Sequence, residues 1–304
     1  MQTILGAGGA VAIELAKELK KYTNKIRLVS RNPQKINADD ELLPANLLDK
    51  AAVEKAVEGS DVVYLTAGLK YDIKVWQRDW PLIMQNVINA CVKHHAKLVF
   101  FDNVYSYAPD EIPDMTEESR MAPVTKKGKV RANLVRNIFD SVKNNGLTAM
   151  ITRSADFYGA NVSTGFLNIG VINNLKKNKK SFWQSDVNRI HSFTYVPDAA
   201  KAVALLGNTP DAYNQTWHLP TSSEKWTGKD FINQVAAQLN VRPRYYILSK
   251  FIISLLGFFS SDIRELNEMQ YQNDQDYFFD SRKFQQRFSF NPTSYEEGIR
   301  QSVS

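Results

Sequence analysis

Short apolar runs alternate with amphipathic stretches from the first residues of this chain onward. Gln2-Thr3-Ile4-Leu5 reads as a buried strand that runs straight into Gly6-Ala7-Gly8-Gly9. An amphipathic helix follows at once, with Val11, Leu15, Ala16 and Leu19 on one face and Glu14, Lys17, Glu18 and Lys20 on the other. The alternation then repeats. Strands are predicted at Lys25–Ser30, Glu41–Ala45, Asp61–Leu65, Ala96–Phe101 and Leu147–Ile151. Helices are predicted between them at Lys50–Glu58, from about Trp76 to His95, and from about Lys129 to Lys143. Strand and helix in this order predict an α/β fold built on a doubly wound parallel sheet. The second half is less regular. It carries helices near Phe166–Lys176, Pro197–Leu206 and Gly228–Gln238, with short strands around His191–Val196 and Gln215–Leu219. The pattern divides the chain into a core over residues 1–155 and a smaller α+β lobe over 156–304, from which some segments return to the core.

The first turn carries the clearest chemistry. Glycine lets a backbone turn tightly and approach a ligand, and a helix N-terminus offers unpaired N–H groups and a positive dipole end to an anion. Strand, glycine turn and helix together predict a dinucleotide-phosphate cradle made by Gly6, Gly8, Gly9, Ala10 and Val11. The second strand ends about 24 residues after Gly6, where such folds read the ribose of the cofactor. A carboxylate there would bind a ribose 2′-hydroxyl, but this chain has Ser30-Arg31-Asn32. A guanidinium pairs with a 2′-phosphate, so NADP is expected and NAD less so.

Composition narrows the setting. The 304 residues are 43% hydrophobic and 23% charged, enough to bury a sizeable core. The single cysteine, Cys91, excludes an internal disulfide framework, and its apolar helical neighbours predict a buried structural thiol. Met1 leads directly into the first strand and the longest apolar run, Phe251–Phe259, is too short to span a bilayer. A cytoplasmic protein with no membrane partner is therefore expected. The net charge of +6 includes a basic run, Lys176-Lys177-Asn178-Lys179-Lys180, at a predicted helix end, where cations suit the dipole. No aromatics interleave with it, so no nucleic-acid partner is expected. His94-His95 ends a helix, and His191 and His218 lack cysteine or carboxylate neighbours at ligand spacing, so no metal is expected. Trp76 and Trp80, one helical turn apart, read as core.

Several segments resemble one family. Beside the glycine turn stand Asn46-Leu47, Leu65-Thr66-Ala67-Gly68, Phe101-Asp102-Asn103-Val104-Tyr105-Ser106-Tyr107, Arg153-Ser154-Ala155-Asp156-Phe157-Tyr158-Gly159 and His191-Ser192-Phe193-Thr194-Tyr195-Val196-Pro197-Asp198. Asp280–Phe284 and Asn291–Gly298 add to them. Over nearly its whole length the chain resembles the extended or atypical short-chain dehydrogenase/reductase superfamily, in the NAD-dependent epimerase/dehydratase branch. The resemblance implies a Rossmann-type core and a smaller substrate lobe. It places Asn46 and Leu47 beside the adenine, and Thr66, Ala67, Gly68, Ser154 and Ala155 along the cofactor. It also implies a small-molecule substrate and, through two long helices, a possible homodimer.

The departures bear on catalysis. The family uses a serine after the fifth strand and a Tyr-x-x-x-Lys on the next helix, the tyrosine exchanging a proton with the substrate. Counting back from Tyr107, the serine position is Asn103. Alignment on Gly128 puts Lys127 at the tyrosine position and Arg131 at the lysine position; a second frame pairs Thr125 with Lys129. Tyr246–Lys250 has the right spacing but falls far outside that helix. The candidate catalytic groups are therefore Asn103, to hydrogen-bond a carbonyl or oxyanion, Lys127 or Tyr105 to handle the proton, and Arg131. The expected activity is an NADP-dependent oxidoreductase or epimerase acting on a carbonyl, hydroxyl or sugar-nucleotide substrate. The alternative is an NADP(H)-binding sensor without turnover.

Overall fold

The computed structural model describes residues 1–249, 251–252, 265 and 267–304. Its central element is a seven-stranded sheet. In chain order the strands are β1 (Gln2–Leu5), β2 (Ile26–Ser30), β3 (Glu41–Pro44), β4 (Val62–Leu65), β5 (Lys97–Asp102), β6 (Ala149–Arg153) and, after three shorter segments, β10 (Thr216–His218). They lie side by side as β10-β6-β5-β4-β1-β2-β3. Every pairing from β6 across to β3 is parallel, with Leu5 opposite both Val29 and Leu65, and Asp102 opposite Arg153. Strands of a parallel sheet are covered on both faces, so they read as continuous apolar runs. β1, β4 and β6 are buried at every residue. The sheet is the Rossmann-type doubly wound arrangement expected from the alternation.

Helices α1 (Ala10–Leu19), α2 (Lys50–Val57), α3 (Ile73–His94) and α4 (Lys126–Asn145) connect these strands. The side chains of Asp49 and Asp72 cap α2 and α3 by accepting from their first backbone N–H groups. α4 begins three residues before its expected start, because Lys126, Lys127 and Gly128 interrupt the apolar period without breaking the helix. Cys91 is fully buried in α3, and burial pushes its thiol well above the usual range, which makes it inert.

The chain forms two compact units that interleave in sequence. The first is residues 1–105, 127–153 and 199–217; the second is 106–126, 154–198 and 218–304. The second unit contains β7 (Asp156–Tyr158) paired with β9 (Phe193–Tyr195), and β8 (Ser181–Gln184) paired with β11 (Tyr245–Leu248), both parallel. Its core is aromatic: Tyr158, Trp183, Phe193, Phe231 and Tyr295 pack with Leu167, Val171 and Ile299. Helix α7 (Gly228–Gln238) opens on a capping box between Thr227 and Asp230. The expected helix at 166–176 is largely a π-helical turn, Asn168–Ile172, followed by the short α5 (Asn173–Lys176). Of the apolar run Phe251–Phe259, Phe251 and Ile252 are described and exposed; the rest of it, and Lys250, lie outside the described residues. Among the described residues no helix is long and apolar enough to cross a membrane.

Candidate functional site

The parallel strands of the first unit end in one row, and the connections reverse direction between β1 and β4. Ligands of doubly wound sheets bind at such a switch point, beyond the carboxyl ends of the strands. The glycine turn leaves β1 there. The N–H groups of Gly6 and Ala7 donate to the Val29 carbonyl at 2.9 and 3.0 Å, which folds the chain back tightly. Gly6 has φ 97°, and a Cβ at this position would stand 2.3 Å from the Ala67 Cα. A Cβ at Gly8 or Gly9 would meet nothing within 4 Å. Gly9 then N-caps α1 with no side chain on the helix end, and neither Ala10, Val11 nor the rest of the first turn is acidic. Backbone open to close approach, followed by an uncapped helix N-terminus, fits a dinucleotide phosphate.

The other cofactor candidates of this unit lie at or just after the ends of β2, β3 and β4. Ser30 closes β2 and its carbonyl accepts from the Ala45 N–H at 2.8 Å. Arg31 is exposed just beyond, and no described residue binds its guanidinium. Asn46 is exposed, its Oδ1 accepting from the Leu48 N–H at 3.1 Å, while the buried Leu47 offers its carbonyl to Asn86 Nδ2 at 3.1 Å. Thr66 is tied to β1 by donating its N–H to the Leu5 carbonyl at 2.9 Å; Ala67 is half-buried and Gly68 exposed. Ser154 and Ala155 belong to the second unit. There the Ala155 N–H donates to Thr194 Oγ1 at 3.1 Å, and the buried Ser154 hydroxyl has no partner among the described residues.

The end of β5 and the first turns of α4 hold the catalytic candidates. Asn103 is half-buried and its Oδ1 accepts from the Tyr105 N–H at 3.1 Å, which leaves its amide N–H groups as donors. Of the two possible frames on α4, Lys127 and Arg131 are both buried, one turn apart, whereas Lys129 is exposed. Arg131 Nε donates to Asp102 Oδ1 at 2.7 Å and its Nη2 to the Phe101 carbonyl at 3.1 Å. Arg153 Nε donates to the other oxygen, Oδ2, at 3.1 Å. One carboxylate thus holds two buried guanidiniums, and the Trp80 and Phe100 rings flank Arg131 at 4.9 and 4.6 Å.

Lys127 is wholly buried, and its Nζ lies 4.5 Å from the centre of the Tyr71 ring. The Tyr71 and Tyr105 hydroxyls are 3.3 Å apart. Trp76 stacks on Tyr105 at 6.3 Å, meets Tyr71 edge-on at 5.8 Å, and donates its indole N–H to the Lys70 carbonyl at 3.0 Å. A cation over an aromatic face is worth about 2 kcal/mol when desolvated, so the group is both rigid and polarised. Sequence reasoning places Trp76 in the core and does not pair Tyr71 with Lys127. The signal available is Tyr71 itself, placed just after a strand end, with nothing local to say what it meets.

The histidines are corrected in part. His191 does have a carboxylate partner, Asp156, with Nε2 and Oδ2 2.9 Å apart, and it stacks flat on Tyr277 at 4.3 Å. The partner lies 35 residues away, too far for a spacing argument. His218 is buried; its Nδ1 donates to the Asp280 carbonyl and its Nε2 accepts from the Tyr107 hydroxyl, both at 2.6 Å. Asp198 lies inside the first turn of the helix Val196–Gly207, and its Oδ2 accepts from the Thr293 N–H at 2.6 Å.

The sequence profile of the NAD dependent epimerase/dehydratase family matches residues 3–218. The UDP-N-acetyl-alpha-D-glucosaminuronate decarboxylase of Bacillus cytotoxicus is 22% identical over 220 residues, which is 66% of this chain and 68% of its own. Among solved structures, UDP-glucuronic acid 4-epimerase from Bacillus cereus in complex with NAD superposes with TM-score 0.80 at 15% identity, covering 100% of this chain and 97% of the other. Thermus thermophilus UDP-glucose 4-epimerase in complex with NAD gives 0.79 at 16% identity, covering 100% and 98%. Likeness at such low identity establishes the fold. The profile match over most of the chain establishes more, and the glycine turn fits the NAD(P) nucleotide that the match implies. The chain belongs to the NAD dependent epimerase/dehydratase family, a family of enzymes.

Proposed function

We propose that this protein is an NADP-dependent oxidoreductase or epimerase acting on a hydroxyl or carbonyl carbon of a small substrate of the sugar-nucleotide class. The observation that carries the reading is the row of strand ends in the first unit, where the open glycine turn follows β1 while Asn103 and Tyr105 follow β5, two strands of one parallel sheet on either side of β4. A nicotinamide nucleotide held there would supply reversible hydride transfer. Gly6, Gly8, Gly9, Ala10 and Val11 would hold its phosphates, Arg31 the 2′-phosphate, and Asn46, Leu47, Thr66, Ala67, Gly68, Ser154 and Ala155 the rest. An exposed guanidinium without a partner among the described residues is the group expected of a 2′-phosphate site, which favours NADP over the NAD bound by the solved relatives. The Asn103 amide would donate to the substrate oxygen as negative charge develops there. Lys127 or Tyr105 would handle the proton. Arg131, bound to Asp102, would act by positioning α4 against β5. The sugar-nucleotide class is drawn from the names of the relatives, all of which act on such compounds.

The test is a fluorescence titration of the cofactor-stripped protein with NADPH and with NADH, followed by turnover assays on carbonyl and sugar-nucleotide substrates. NADPH is expected to bind more tightly. Arg31→Ala should weaken NADPH by about 10-fold or more and leave NADH within about 2-fold. Equal loss for both nucleotides sinks the phosphate assignment. Asn103→Ala should lower turnover by about 100-fold with NADPH affinity nearly unchanged. A second reading, a cofactor sensor without turnover, is favoured by the absence of a tyrosine from the first turns of α4. Tight NADPH binding with no turnover on any substrate would select it.

A further inference from the structure

The family's proton donor is a tyrosine on the helix after the fifth strand, and here a lysine stands at that position. We propose that the phenol is supplied instead from the strand-end loops: Tyr105 is the proton donor, Tyr71 is a positioning residue that links it to Lys127, and Lys127 is the cation that favours the phenolate. The inference rests on the reading of the site given above and settles which of Lys127 and Tyr105 moves the proton.

Three observations carry it. The first is exposure. Lys127 has none, whereas Tyr105 is half-buried and open to the outside. The second is position. Tyr105 shares one turn with Asn103, whose Oδ1 accepts the Tyr105 N–H, so an amide donor and a phenol leave the same strand end. The third is connection. The Tyr105 hydroxyl is 3.3 Å from the Tyr71 hydroxyl, and the Tyr71 ring lies under the Lys127 ammonium at 4.5 Å. An opposite charge within about 4–6 Å favours the ionised form of an acid, and a hydrogen bond donated to a phenolate adds to it. Trp76, stacked on Tyr105, fixes the ring.

Arg131 on α4 and Asp72, Arg78 and Asp79 at α3 have partners of their own. Arg131 is bonded to Asp102 and reaches the cluster only through Trp80, which meets Trp76 edge-on at 6.4 Å. Asp72 accepts from the Lys74 and Val75 N–H groups. Arg78 and Asp79 bind one another. Lys127 lies over the Tyr71 ring, and Tyr71 in turn meets Tyr105 through the hydroxyls. In the direction of reduction the Tyr105 O–H bond breaks and its proton goes to the substrate oxygen. The phenolate left behind accepts a hydrogen bond from the Tyr71 hydroxyl, and water later returns the proton. In oxidation the same phenolate takes the substrate hydroxyl proton.

The experiment is a phenolate absorbance titration of the folded, cofactor-free protein and of Tyr105→Phe, Tyr71→Phe and Lys127→Met. Of the 13 tyrosines, one phenolate should appear about one pH unit or more below the others in the wild type. It should be missing from Tyr105→Phe, shift up by about one unit or more in Lys127→Met, and shift up by less in Tyr71→Phe. Superimposable curves for wild type and Tyr105→Phe overturn the proposal. So does an unshifted early phenolate in Tyr71→Phe, which keeps the ring and decides the matter even if Lys127→Met fails to fold. NADPH titration of each variant tests the functional reading separately: an early phenolate in a protein that binds no nucleotide leaves the pair standing and sinks the enzyme assignment.

Discussion

The glycine turn and the first turns of α4 both belong to the first unit, yet they carry their chemistry differently. In the glycine turn the working parts are backbone: a left-handed Gly6 against Ala67, open space at Gly8 and Gly9, and an uncapped helix end. Around α4 they are side chains from four separate elements: Tyr71 after β4, Trp76 on α3, Tyr105 after β5, and Lys127 on α4. A backbone site demands particular residues at particular positions, so its pattern survives. A side-chain site can be rebuilt from other residues at other positions so long as the groups still meet. This chain has the glycine pattern at its first turn and no tyrosine in the first turns of α4.

The severest way to break the first region is Gly6→Ala. The new Cβ would stand 2.3 Å from a main-chain atom of Ala67, and φ 97° is strained for any residue with a side chain. The atom in the way is backbone just beyond β4 and cannot swing aside as a flexible side chain would. The variant should lose about 3 kcal/mol or more of stability and bind NADPH about 100-fold more weakly, if it folds. Thermal melting and fluorescence titration read the two effects. A variant with native melting and native affinity would show that the turn tolerates a side chain and is no cradle.

Asp102→Ala strikes the second region. Removing the shared carboxylate takes one ion-pair partner from each of the buried Arg131 and Arg153, which should cost about 3–5 kcal/mol and lower the melting temperature by roughly 10 °C. Because the glycine turn is held by its own backbone bonds, the molecules still folded should keep NADPH affinity within about 3-fold. A large loss of affinity in folded protein would mean that the two regions are coupled.

The same contrast explains what the sequence made legible. The strands of the parallel sheet were apparent because burial on both faces makes each an apolar run, and the glycine turn because its needs are local. Two frames at α4, Lys127 with Arg131 and Thr125 with Lys129, were legible as well, but both span one helical turn and spacing did not choose between them. The partners of these side chains were not legible. Asp102 meets Arg153 because β5 and β6 align in register, and Tyr71 meets Lys127 because the loop after β4 lies against the start of α4. Periodicity tells which face of an element is buried, but it does not tell which strand end lies beside which. His191 illustrates the point in the second unit: its carboxylate partner comes from a neighbouring strand, and no spacing rule reaches across 35 residues.

The gentlest test separates backbone geometry from cofactor contact within the glycine turn itself. Gly9 differs from Gly6 in both respects that matter. Its φ of −77° is ordinary for any residue, and a Cβ would meet nothing within 4 Å. Gly9→Ala should therefore leave the fold almost untouched. Reduced freedom of the unfolded chain would stabilise it by about 0.4–1 kcal/mol, and the poorer N-cap would offset a similar amount. The net change should stay within about 0.5 kcal/mol. The open space beside Gly9 has no structural use, so any effect of filling it reports on a ligand. NADPH affinity should fall by about 10-fold while melting stays constant. Unchanged affinity would place the phosphates away from the N-terminus of α1 and confine the cradle to Gly6 and Gly8.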